Sequence, residues 1–248
     1  MTKIQEKTGR KVILLIDEYD KPILDNLLSD TLSQIKSVIN GFYTVVKSLD
    51  KHLRFIFITG VSRFAKVSTF PGINSSGMNS LTDISMDSRY ATLCGITQQE
   101  LEANFNEAID QLVSRGALDK PQLLAKIKHW YNGYYFEEDA VSVYNPYSLL
   151  SLFDQQKFRH FWFSTATPTF LIDLIKERKF DLTDMNDFEL DDGAFMSMEP
   201  EKVSPLPILL QTGYLTITGY EDDLYTLDFP NYEVKYAFYQ LSASCKLA

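Results

Sequence analysis

Cysteine, histidine, positive charge and long apolar runs are all scarce in this sequence, and each shortage weighs against a class of protein. The only cysteines are Cys94 and Cys245, without C-x-x-C spacing, and the three histidines, His52, His129 and His160, are far apart along the chain. A disulfide framework and structural zinc are therefore disfavoured, and a reducing cytoplasm fits. No apolar run approaches the roughly 20 residues of a membrane span. The first ten residues, "MTKIQEKTGR", are polar and unlike a signal peptide. The formal net charge is −9, and no basic run stands out along the chain, which argues against direct nucleic-acid binding.

What the chain does have is apolar mass. At 248 residues and 45% hydrophobic, with 17 Phe and 14 Tyr, it can bury one sizeable core or two small ones. Val12 to Ile16, in "KVILLIDEYDKP", is short, β-branched and continuously apolar, as a central parallel strand covered on both faces would be. Leu32, Ile35, Val38, Ile39, Phe42, Val45, Val46 and Leu49 recur at helical spacing after a cap at Asp30 or Thr31. "LRFIFITG", Leu53 to Gly60, then repeats the strand pattern, so the order is βαβ.

A loop rich in Gly, Ser and Asn follows, and "TDISM", Thr82 to Met86, reads as a short strand. "TQQE", Thr97 to Glu100, is a capping box opening a helix striped by Leu101, Phe105, Ile109 and Leu112. A second helix is expected from about Pro121 to Trp130. "YNGYYFEEDAVSVYNPYS" reads as a hairpin turning at Asn132-Gly133 and passing into a helix capped by Asn145, which makes both motifs architectural. "TPTFLIDLIKER" predicts another helix, and the acidic stretch Asp181 to Asp192 a solvated loop. From Pro205, a helix, a glycine stop and two strands about Glu221-Asp222-Asp223 suggest a winged helix. Its acidity predicts packing rather than DNA reading. Cys94 reads as a small core residue.

An apolar strand that drives straight into Asp17-Glu18 can serve a phosphate-handling site, where the first carboxylate holds magnesium and the second polarises water. It can equally be a strand whose acids cap the next helix, and on the dipeptide alone the two readings stand even. The wider set shifts the balance toward the first. "VILLIDEYDKPI", "FIFITGVSRFAK", "LTDISMD", "YATLCGITQQEL", "YNGYYF", "NPYS" and "LLQTGYLTI" come in one order. In this the chain, from about Val12 to Tyr236, resembles the bacterial AAA-ATPase-like proteins. These are related to the archaeal-ATPase and STAND branch of P-loop NTPases and commonly carry a PD-(D/E)XK nuclease-like domain.

The resemblance implies an α/β fold: a partial P-loop NTPase (AAA+-like) parallel sheet over residues 1–96, a helical lid over 97–200 and a winged-helix-like end over 201–248. It implies ATP and Mg2+ as ligands. Asp17 matches the Walker B metal residue, with Asp20 as a further metal candidate, and Glu18 matches the catalytic carboxylate. Thr59 matches the sensor 1 position, and Arg63 would meet a phosphate in cis or across a subunit interface in an oligomer. A strand-ending hydroxyl and a solvated loop cation are the plain alternatives for those two. G-x-x-x-x-G-K-[ST] does not occur in the 248 residues. The expectation is therefore of a shortened member, without Walker A and without the nuclease-like domain, inactive alone as an ATPase. A non-catalytic interaction or regulatory scaffold is the alternative. No membrane partner is expected.

Overall fold

The computed structural model describes residues 1–62, 82–162, 169–180, 188–191, 193 and 203–246. The chain divides into two compact units, Met1–Thr82 with Gly193–Ser204, and Asp83–Asp192 with Pro205–Ala248.

The first unit is the expected βαβ arrangement. Helix α1 (Thr2–Thr8) leads into β1 (Val12–Ile16), then α2 (Lys21–Leu24), α3 (Leu32–Ser48) and β2 (Leu53–Ile58). The two strands pair in parallel from Val12 beside Leu53 to Ile16 beside Ile58, so they end at the same level. Ile23, Leu24, Leu27, Leu32, Tyr43 and Val46 form the buried core. Coverage of the sheet on both faces is not found. Ile13 and Leu15 are 57% and 67% exposed, and Phe55, which pairs with Ile13, is 52% exposed. Alternation along a strand sends these side chains to one face, and nothing described lies over it. The α3 stripe is likewise buried along one side only: Leu32 and Val46 are covered, while Val38, Phe42 and Val45 are exposed.

In the second unit, Thr97 and Glu100 close the anticipated capping box at the start of α4 (Gln98–Asn104). The expected single helix breaks at Phe105, and α5 (Asn106–Arg115) carries its second half. Its stripe still points inward, since Leu101, Ile109 and Leu112 join one core with residues of α6 (Lys120–Tyr131) and α7 (Pro146–Gln155). A capping box of Asp119 and Gln122 opens α6, and the Asn145 side chain caps α7 by accepting the Ser148 amide. Between them, β4 (Val143–Tyr144) pairs antiparallel with β3 (Ile96–Thr97). Helix α8 (Thr169–Glu177) lies within the segment expected to be helical.

Four readings are corrected. Residues 82–86 form no strand; irregular backbone and a turn lead to a single 3-10 turn at Ser88–Tyr90. The acidic stretch is not wholly loop, because Phe188–Asp191 is β5, with Phe188 and Leu190 buried and Glu189 and Asp191 outward. Dense acid content masks that two-residue alternation. Cys94 is exposed. Asn132-Gly133 is no hairpin turn: Asn132 caps the end of α6, and Gly133, at φ 101°, lies against the Pro230 carbonyl, where an added Cβ would come within 1.9 Å. The antiparallel bridge is instead Tyr134 to Val143.

The C-terminal part contains α9 (Pro205–Gln211), β6 (Thr216–Glu221), β7 (Leu224–Asp228) and α10 (Tyr232–Lys246). The sheet order is β5-β7-β6, all antiparallel. The turn at Asp222-Asp223 puts both residues in the left-handed region (φ 51° and 66°), the geometry that two-residue hairpin loops favour.

A buried polar joint holds α10 in place. Asn231 caps the helix by accepting the Val234 amide (3.0 Å) and donates to the Asn132 carbonyl (2.9 Å). Glu233, fully buried, accepts the Trp162 amide (2.8 Å), while its other oxygen finds no partner among the described residues. Burial pushes the Glu233 carboxyl above its ordinary range, against the smaller lowering effect of Ser148 and the Trp162 and Phe161 amides. Its charge in turn bears on Tyr131 and Tyr134, which burial chiefly pushes up, and the neighbouring His160 is held down by burial. A carboxyl raised on folding binds its proton more tightly in the folded state. Stability should therefore fall as pH rises from about 4.5, the ordinary value, through the raised one. Glu233→Gln keeps an acceptor for Trp162 without the buried charge. Thermal melts from pH 4 to 8 should show the variant gaining on the parent protein as pH rises; parallel curves would contradict this account.

Candidate functional site

The carboxyl ends of paired parallel strands are where open α/β sheets place their ligands, and here two sequence-predicted residues meet at that place. Because β1 and β2 end in register, Asp17 and Thr59 follow them side by side. The Thr59 amide donates to the Ile16 carbonyl (2.8 Å), and the Thr59 carbonyl accepts the Tyr19 amide (3.0 Å). With the backbone held on both sides, the Thr59 hydroxyl donates to Asp17 Oδ1. The same oxygen accepts the Glu18 amide (3.0 Å). Asp17 and Glu18 are exposed and Thr59 is half-buried.

Glu18 has φ 50°, a left-handed conformation that costs a non-glycine residue roughly 1–2 kcal/mol. The strain accompanies a sharp turn at the strand end. One residue later the Tyr19 amide bonds back to β2, and two residues later the chain enters α2. Glu18 thus stands at the apex, next to the Asp17–Thr59 pair.

Asp20 plays a different part. It is fully buried, with Oδ1 accepting the Val61 amide (3.1 Å) and Oδ2 accepting both the Ser62 amide and hydroxyl (2.5 Å each). The Tyr19 hydroxyl adds a bond to the Ser62 carbonyl (2.6 Å). A side chain at Gly60 would meet Asp20 Oδ1 and the Tyr19 ring at 2.5 Å, so the close approach requires glycine. Helix α3 faces the same carboxylate: burial first, then the Asp20 charge, pushes Tyr43 up to about 12. Asp20 is therefore a clamp that fixes the chain leaving β2, with its oxygens turned to the loop rather than to the surface occupied by Asp17 and Glu18. Arg63 lies outside the described residues.

The arrangement suits a hydrated divalent cation. Asp17 Oδ1 is engaged by Thr59 and Glu18, whereas no bond to Oδ2 is seen among the described residues, and Glu18 stands exposed beside it. Exposed carboxylate oxygens on rigid backbone match the preference of magnesium for one or two carboxylates plus water.

The clamp was the feature that sequence reasoning missed, although Asp20 and Gly60 were both visible as residues. Asp20→Ala should lower stability by about 3 kcal/mol, because it leaves the Val61 and Ser62 amides without their charged acceptor. Glu18→Gly should raise it by up to about 1 kcal/mol by relieving the left-handed strain. Urea denaturation of the two variants beside the parent measures both.

Over 232 residues, 92% of its own length, the chain is 40% identical to a protein of Azotobacter chroococcum mcd 1 described as "Uncharacterized protein in vnfD 5'region". The match takes in 42% of that protein, so the chain spans less than half of its length. No solved structure matches the chain. Among the described residues no helix is long and apolar enough to cross a membrane. The family model described as "Predicted AAA-ATPase" matches residues 1–70, the segment that contains β1, β2, Asp17, Glu18 and Thr59, and over that segment the chain is similar to this family.

Proposed function

We propose that residues 12–62 are the Walker B and sensor 1 portion of a P-loop ATPase. The reading rests on one observation above the others: Asp17 and Thr59 are hydrogen-bonded at the ends of two parallel strands, with Glu18 exposed at the adjoining turn. In this proposal Asp17 holds Mg2+, directly or through water. Thr59 keeps the Asp17 carboxylate in one orientation and feels the terminal phosphate. Glu18 accepts a proton from the attacking water, the step for which an exposed carboxylate beside the metal residue is suited. Asp20 is assigned to positioning, since its oxygens already serve the loop.

ATP would supply the phosphoryl group and magnesium the charge neutralisation. Gripping the phosphates falls to a glycine-rich loop, and none of the form G-x-x-x-x-G-K-[ST] occurs in these 248 residues. Residues 97–200 we assign as a helical lid and 201–248 as a winged-helix-like end, whose acidic wing, about Pro205 to Asn231, has a packing role. A nuclease-like domain joined to the ATPase is part of the same proposal for the whole protein.

The test is magnesium-dependent phosphate release from this chain, from a version extended upstream to include a phosphate-binding loop, and from two variants of the latter. The short chain should hydrolyse ATP at background rate and the extended one well above it. In the extended protein Glu18→Gln should retain nucleotide while slowing turnover by about 100-fold or more, because the amide fills the space without accepting a proton. Asp17→Asn should weaken magnesium-dependent binding. Full activity in the Glu18→Gln protein would overturn the assignment. An extended protein that neither binds nor hydrolyses ATP would favour a scaffold role.

A further inference from the structure

The negative charge of the chain as a whole conceals a local reversal in the second unit. Helices α6 and α10 pack together, and residues 157–160 lie against both through a run of ring contacts. Trp130 of α6 touches Phe158 (5.5 Å between centroids), His160 (5.1 Å) and Tyr232 (4.8 Å). His160 stacks on Tyr236 at 4.0 Å, and His129 on Tyr232 at 5.4 Å.

Around this aromatic seam stand Lys126, Lys128, Lys157, Arg159 and Lys235, all exposed. None of the five is in an ion pair among the described residues, unlike Lys120, which pairs with Asp110. Lys128, His129 and Lys235 line one cleft of about 320 Å³ with Asn132 and Tyr232. The acid in that cleft, Asp228, accepts the Phe229 amide (2.7 Å), and Glu233 is buried beneath.

The tyrosines of α10 complete the surface. Tyr232, Tyr236 and Tyr239 follow the i, i+4, i+7 spacing of one helix face. Such a stripe ordinarily enters a core, yet these rings are 41%, 40% and 50% exposed. Exposed rings interleaved with cations outside any ion pair suit a ligand that offers flat faces and negative charge together. A single-stranded nucleic acid does so with its bases and phosphates. A duplex hides its base faces, and an acidic peptide would leave the rings without partners.

We propose that the face built by α6, residues 157–160 and the first turns of α10 binds single-stranded nucleic acid without sequence preference. The lysines and Arg159 meet phosphates, while the tyrosines stack on bases. This goes beyond the ATPase assignment and uses none of its proposed catalytic or metal-holding residues, Asp17, Glu18 and Thr59.

The test is fluorescence anisotropy with the full chain and a labelled oligothymidylate of about 16 nucleotides. A duplex of equal length and a labelled polyglutamate are measured beside it. The single strand should bind best. Lys128→Glu/Lys235→Glu should weaken it at least about tenfold at 0.1 M salt and reduce the log–log salt slope by roughly 0.7 for each phosphate no longer neutralised. Both lysines are exposed, so melting should be unchanged. Tyr232→Ala/Tyr236→Ala should also cost about tenfold, and Lys3→Glu, in the other unit, should cost nothing. Absence of binding at low salt, a preference for duplex, equal binding of polyglutamate, or indifference to the lysine reversal would each overturn the proposal.

Discussion

The first unit depends on the buried carboxylate of Asp20. Two short parallel strands and their crossover place Asp17 and Thr59 at neighbouring ends, but strand ends alone leave the following loops free to diverge. Asp20 removes that freedom by accepting the amides of Val61 and Ser62 and the Ser62 hydroxyl. A buried carboxylate is costly unless its lone pairs are filled, and here the chain leaving β2 fills them. The requirement is mutual. Gly60 must lack a side chain for the approach, and Tyr19 must turn its hydroxyl to Ser62. The strain at Glu18 is then local, because it sits between a residue bonded to Thr59 and a residue bonded to the β2 backbone.

The second unit solves a similar problem with different chemistry. Helix α10 arrives on α6 through Asn231, whose amide reaches the Asn132 carbonyl, and through Glu233, whose carboxylate takes the Trp162 amide. Gly133 lets the Pro230 carbonyl come close enough for this joint to form. The motif Tyr131-Asn132-Gly133-Tyr134 is therefore architecture, as expected, but it serves a long-range contact rather than a turn. The same approach of α10 to α6 brings separate basic segments onto one surface, which a net charge of −9 does not reveal.

Local signals in the sequence carried far. The β1 boundaries, the parallel βαβ order, the capping box at Thr97 and the Asn145 cap were legible because each depends on residues within a few positions of one another. The adjacency of Asp17 and Thr59 was legible at one remove, since parallel strands of similar length end together. Signals of the wrong range misled. Asn-Gly is a turn dipeptide only when the strands beside it pair with each other, and acid-rich Phe188–Asp191 became a strand because β7 was there to receive it.

Periodicity and capping thus determined most elements by themselves, because they are settled within one or two turns of chain. Contacts between residues distant in sequence decided the rest. Asp20 and Ser62 are 42 positions apart, Trp162 and Glu233 71, and Asn132 and Asn231 99. Over such separations the partner of a polar group is set by which surfaces pack together, and that choice belongs to the tertiary structure alone.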